Sequence, residues 1–235
     1  MTETAVIAGV GPGLGASLVR ACAARGMKVI AASRTLTAKA SDYWDTGNPN
    51  IQSIDCDLTD PGQVQSLFET ARNESGPLTL TVFNAGAFQP ASIREIQPSD
   101  FEHCWRVGCY AGFLVAQQAA NNMLDADSRG SILFTGATAS LRGGSGFLNL
   151  AMPKFGLRAL AQSMARELAP QGVHVAHMII DGQIRSPRYE RLPQERGPDS
   201  LLEPDAIAEA YLNVHNQPPS AWTHEMDLRP WVETF

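Results

Sequence analysis

The chain has 235 residues, with 18 Lys and Arg against 24 Asp and Glu, a formal net charge of −6, and 44% hydrophobic against 18% charged residues. That balance lacks the clustered cations that neutralise phosphates, which excludes nucleic-acid binding through a general basic face, and the apolar fraction is that of a folded domain, not a disordered chain. No run reaches the roughly 20 apolar residues of a spanning helix, and Met1-Thr-Glu-Thr has neither a basic region nor a cleavage site, so a cytoplasmic protein with no membrane partner is expected.

In chain order, residues 4–8 form a short apolar run that ends in a glycine cluster. Residues 14–25 follow with Leu14, Leu18, Val19 and Cys22 at helical spacing. Residues 28–32, 51–54 and 78–83 read as strands, with a helix at 63–72 between the last two. Ser99 and Asp100 then cap a long helix running toward Met123. A strand at 131–134, a second long helix at 148–169 stopped by Pro170 and Gly172, and a sixth strand at 173–180 complete the alternation. Strands separated by helices predict one domain: a doubly wound α/β Rossmann-type parallel sheet of about seven strands with helices on both faces. Residues 186–204 break the pattern, with Pro187, Pro193, Pro198 and Pro204 among Arg188, Arg191 and Arg196, and read as a lid or surface loop; a helix at 205–214 follows, and the aromatic segment 222–235 reads as docking onto the body. Cys22, Cys56, Cys104 and Cys109 lack any Cys-x-x-Cys or zinc spacing and are expected as buried thiols, and no metal site is expected. His174 and His177, three apart on a strand, face opposite sides and do not make a metal pair.

The turn Gly9-Val-Gly-Pro-Gly-Leu-Gly15 lies directly after the first strand and opens the first helix. Glycine there lets the backbone turn tightly and approach a pyrophosphate, whose charge is favoured by free N–H groups at the positive end of a helix. The spacing of Gly9, Gly13 and Gly15 resembles that of the short-chain dehydrogenase/reductase family. Asp57-Leu58 after the third strand, Asn84-Ala85-Gly86 after the fourth and Lys154 on the helix after the fifth match in family order, over roughly residues 4–184. The resemblance implies that Gly9, Pro12, Gly13, Leu14 and Gly15 wrap the pyrophosphate, that Asp57 and Leu58 contact adenine, that Asn84, Ala85 and Gly86 line a ribose, and that Lys154 holds the nicotinamide ribose hydroxyls. It also implies a homodimer or homotetramer built on the helices at about 100–123 and 148–169. At the end of the second strand an acid would select NAD(H); here Ser33-Arg34 stands instead, and a guanidinium pairs with a phosphate, so NADP(H) is preferred over NAD(H).

The chemical end departs from the family. Its Tyr-x-x-x-Lys places a phenol four residues before the lysine to move the proton that accompanies hydride transfer; here Leu150 stands there. The family's serine falls at Ala137, its asparagine at Cys109 and its Pro-Gly pair at Asp181-Gly182, so of the expected tetrad only Lys154 is kept. A shift of one residue would offer Thr138 as the hydroxyl, with Thr135 and Ser140 as further candidates. Tyr189, Cys109 and His177 are conceivable proton donors, each more commonly a loop, core or strand residue than a catalytic one. The expected function is therefore an oxidoreductase on a carbonyl or alcohol substrate of unknown identity, with a degenerate proton relay. The rivals are a non-catalytic nucleotide-sensing homologue and an enzyme of other chemistry on the same fold.

Overall fold

The computed structural model describes residues 2–74, 76–186, 189 and 191–233. Strands β1 (Thr4–Ala8), β2 (Lys28–Ser33), β3 (Ile51–Asp55), β4 (Leu78–Phe83), β5 (Gly130–Thr135), β6 (Val173–Ile180) and β9 (Glu225–Leu228) form one sheet of seven strands in the order β3-β2-β1-β4-β5-β6-β9. Every neighbouring pair is parallel. Parallel strands are buried on both faces, which is why β1, β4 and β6 read as near-continuous apolar runs with no exposed position.

Alternation along the strands sorts the core into two layers. From β1, Ala5 and Ile7 face helices α1 (Leu14–Ala24) and α7 (Pro204–His215), where Leu18, Val19 and Tyr211 are almost entirely buried. Val6 and Ala8 face the other way, toward α2 (Pro61–Arg72), α4 (Ala111–Asp125) and α5 (Leu148–Leu168), where Phe68, Val115 and Leu157 fill the layer. Each such side chain contributes about 1.5–3 kcal/mol by leaving water. Asp60 starts α2 by accepting from the N–H groups of Gly62 and Gln63, a cap worth about 1 kcal/mol, with Pro61 in the first turn. The order reverses at β1, whose neighbours are β2 and β4. A crevice opens there beyond the carboxyl ends of the strands.

Four features differ from the sequence expectation. The long helix expected from Ser99 is three segments, α3 (Pro98–Trp105), a π-helical turn (Arg106–Tyr110) and α4, and its cap is Gln97 ahead of Pro98. The π turn lies where Gly108 meets Pro153 of α5: a Cβ at Gly108 would sit 2.9 Å from the Pro153 Cβ. The segment 186–204 is not simply a loop, because β7 (Gln183–Ile184) pairs in parallel with β8 (Leu201–Leu202) and α6 (Leu192–Arg196) lies between them. Pro187 and Arg188 of that expected lid lie outside the described residues. The C-terminal segment supplies the last strand, β9, instead of aromatic docking alone. Trp222 stacks on His174 with ring centroids 4.8 Å apart, whereas Trp231 is 81% exposed. Thr234 and Phe235 of the expected docking segment lie outside the described residues.

Candidate functional site

The crevice is a cavity of about 550 Å³ whose lining comes from the carboxyl ends of β1, β2, β4, β5 and β6. Its floor is the turn from Gly9 to Gly15. Gly9 has φ +99°, and a Cβ there would lie 2.3 Å from the backbone nitrogen of Ala85, so both conformation and space demand glycine. Asn84 fixes the same contact from the other strand by donating from Nδ2 to the Gly9 carbonyl at 2.9 Å. A Cβ at Gly15 would lie 2.8 Å from the Val10 Cα, which is how closely α1 packs on the turn. By contrast nothing lies within 4 Å of a Cβ at Gly11, and the nearest atom at Gly13 is 3.8 Å away. The side of the turn that faces the cavity is thus open. No side chain caps the N-terminus of α1 and no acid stands in its first turn. Open backbone beside an uncapped helix N-terminus is what a pyrophosphate requires, and the residues present fit a dinucleotide.

Ser33 and Arg34 line the far side, with Asp57, Leu58 and Thr59 from the turn after β3. Asp57 accepts from the Thr59 N–H at 2.9 Å and from its hydroxyl at 2.8 Å. Its carboxyl is held below the usual carboxylate range, first by that N–H and then by the Thr59 hydroxyl and the charges of Arg34 and Arg106. The Arg34 guanidinium therefore lies near the Asp57 carboxylate. Asn84, Ala85 and Gly86 line the middle, while Pro12 is exposed and outside the lining.

Lys154 is buried on α5 and donates from Nζ to the Thr135 carbonyl at 2.6 Å, beneath Gly86. Burial disfavours its cation and brings its pKa down to about 8. The buried phenol of Tyr211 donates to Thr135 Oγ1 at 3.0 Å. Beyond Thr135 the cavity continues into a second one of about 380 Å³, which shares Ala137, Ile180, Gly182, Gln183 and Tyr189 with the first. Leu150 lines the second cavity, as do Phe88 and Phe147, stacked at 4.9 Å. Thr138 and Asp181 line it too, and the Thr138 hydroxyl donates to the Asp181 carboxylate.

Two of the three alternative donors are placed away from this space. Cys109 faces α5: a Cβ at Gly156 would be 2.7 Å from its Sγ, and Val107 and Ala111 are the neighbours that line the crevice instead. His177 is fully buried with Nδ1 3.3 Å from Glu225 Oε2, and its other ring nitrogen packs against Gly136. Burial pushes its pKa down to about 4 despite the carboxylate, so the imidazole is neutral at pH 7. Tyr189, in contrast, lines both cavities. The sequence reading passed over the Thr138–Asp181 contact. The one signal for it is the acidic Asp181 placed directly after β6.

The parallel sheet with its glycine turn at the switch point defines a dinucleotide-binding α/β protein. Residues 3–196 match the model of the short chain dehydrogenase family, and the chain belongs to that family of NAD(P)(H)-binding oxidoreductases. It is similar to sorbitol-6-phosphate 2-dehydrogenase of Escherichia coli (25% identical over 217 residues, 91% of this chain and 84% of that protein). It is also similar to the 3-oxoacyl-[acyl-carrier-protein] reductase FabG of the same organism (28% identical over 196 residues, 83% and 78%). Among solved structures, a short-chain dehydrogenase from Rhodopseudomonas palustris superposes with a TM-score of 0.82 at 38% identity, covering 97% of this chain and 99% of that one. ElxO with NADP bound shares the fold, with a TM-score of 0.86 at 18% identity and 97% of each chain covered. Among the described residues no helix is long and apolar enough to cross a membrane.

Proposed function

We propose that this protein is an NADP(H)-dependent oxidoreductase acting on a carbonyl or alcohol substrate, in which Leu150 and Ala137 replace the family's tyrosine and serine. The observation that carries the reading is the open glycine turn at the uncapped end of α1, with Arg34 at the rim beside Asp57. Gly9, Gly13, Leu14 and Gly15 would hold the pyrophosphate on backbone N–H groups. Arg34 would pair with a 2′-phosphate, which an acid in its place would repel. Asn84, Ala85 and Gly86 would line a ribose, and the Lys154 ammonium would donate to ribose hydroxyls. The bound cofactor supplies hydride exchange with the substrate carbon. The apolar walls of Phe88, Phe147 and Leu150 would exclude water from that carbon.

The same reading includes self-association. Trp105, Phe113, Met152 and Phe155, on α3, α4 and α5, are each 40–51% exposed, and pairing of two copies through these helices would cover them. Calorimetric titration with NADPH and with NADH tests the central assignment. Tighter binding of NADPH is expected, and equal or weaker binding would remove the role given to Arg34.

A further inference from the structure

The substrate-side cavity is lined by Leu150 and Ala137 where the family's phenol and serine hydroxyl are expected, and beside Arg142, Gln183, Tyr189, Arg196 and Glu233 it holds one hydrogen-bonded pair, Thr138 and Asp181. Thr138 is half-buried in the turn that follows β5, next to Ala137, and its hydroxyl donates to Oδ1 of Asp181, the residue after β6. Asp181 is 7% exposed. Its other oxygen lies 3.3 Å from Nη2 of Arg229, whose guanidinium also pairs with Asp227 at 2.5 Å. Parallel pairing of β5 with β6 brings these residues together, and the backbone N–H of Asp181 donates to the Leu228 carbonyl at 2.8 Å, which fixes the carboxylate from the β9 side. Because Thr138 spends its hydrogen on Asp181, its lone pairs are what it presents to the cavity. A hydroxyl backed by a buried carboxylate is a proton acceptor for an alcohol.

We propose that Thr138 and Asp181 form the proton relay of this protein, in place of the missing phenol; the inference rests on the oxidoreductase reading above. The substrate hydroxyl donates to Thr138 Oγ1. As the substrate C–H bond breaks and its electron pair leaves as hydride to the oxidised nicotinamide dinucleotide, the substrate O–H bond breaks and the C=O bond forms. The released proton goes to Thr138 Oγ1 while the Thr138 proton passes to Asp181 Oδ1, so the alcohol loses one hydride and one proton and the carboxylate ends as the acid. Solvent then takes the proton from Asp181. Reduction of a carbonyl runs the same transfers in reverse. Thr138 is the catalytic residue that touches the substrate, and Asp181 acts through it.

The experiment uses the full chain saturated with NADP⁺ and 4-nitrophenol as probe, an O–H donor with no hydrogen to give up as hydride and a ring that suits the walls of Phe88 and Phe147. Wild type is expected to bind it with a shifted absorption band. Thr138→Val and Asp181→Asn are expected to weaken binding by about tenfold or more and abolish the shift, with Thr138→Ser restoring both. In turnover of a panel of secondary alcohols, Asp181→Asn is expected to lower kcat by roughly 10²-fold with KM little changed. Should Asp181→Asn fail to fold because Arg229 loses one of its carboxylate partners, Thr138→Val leaves that ion pair intact and decides alone. Probe binding and kcat within about threefold of wild type in Thr138→Val would overturn the relay and leave the oxidoreductase reading standing. No alcohol turnover by wild type, with the nitrophenol site intact, would instead overturn the oxidoreductase reading and the proton transfer with it.

Discussion

The two ends of the crevice differ in what holds their shape. At the dinucleotide end the constraints are backbone ones: Gly9 cannot carry a side chain against Ala85, Gly15 is packed on Val10, and Asn84 ties β4 to the turn. At the other end the lining is side chains: Phe88, Phe147, Leu150 and Ile180, the pair Thr138 and Asp181, and the charged Arg142, Arg196 and Glu233. A backbone cradle accepts few substitutions and keeps one kind of ligand. A side-chain wall changes its chemistry whenever one residue changes, and Leu150 and Ala137 stand in this wall.

The sharpest way to test that contrast is to put the phenol and hydroxyl back. In the Asp181→Asn background, where the native relay is disabled, Leu150→Tyr combined with Ala137→Ser is expected to raise NADPH consumption with simple ketones by about 10²-fold or more, the usual worth of a positioned general acid, as followed by nicotinamide absorbance. An unchanged rate in that background would mean that the wall at Leu150 and Ala137 is not placed to supply the proton. Next in size is Gly9→Ala, which forces a Cβ to 2.3 Å from a backbone nitrogen in a left-handed conformation; it is expected to weaken NADPH binding by about 10²-fold and to lower Tm. Arg34→Ala should reduce NADPH affinity by about tenfold while barely altering NADH affinity, in parallel calorimetric titrations.

A smaller effect is set by Lys154. Its folded pKa of about 8 lies below the ordinary lysine value of 10.5, so between those values the unfolded chain binds more protons and stability gained from this group rises with pH. Relative to Lys154→Met, wild type should therefore gain up to about 3 kcal/mol as pH increases through that window, by urea unfolding at each pH. A constant difference between the two proteins would place the lysine in water. Last, Met152→Asp with Phe155→Asp should turn an assembly into monomers by sedimentation while leaving NADPH affinity unchanged, separating the helix faces from the crevice.

What was legible in the sequence follows from how local each feature is. The glycine turn, Asn84-Ala85-Gly86 and Lys154 are read from short spacings on single elements, and the sheet order follows from alternating strands and helices. The π turn was not legible, because it depends on Gly108 meeting Pro153 across two helices. Nor was β9 singled out: Glu-Met-Asp-Leu alternates polar and apolar as a strand does, but four residues are too short a run to stand out, and its pairing with β6 supplies the hydrogen bonds. The Thr138–Asp181 contact joins residues 43 apart in sequence, and only the β5–β6 register puts them side by side. Conversely Cys109 falls at the family's asparagine position in the sequence, and in the structure its Sγ faces Gly156 of α5.

All of these expectations depend on the backbone cradle at the end of β1. Isothermal calorimetry of the wild-type chain with NADPH tests it most directly: saturable binding of one NADPH per chain, lost in Gly9→Ala, is the predicted result, and the absence of saturable heat in the wild type would contradict the account.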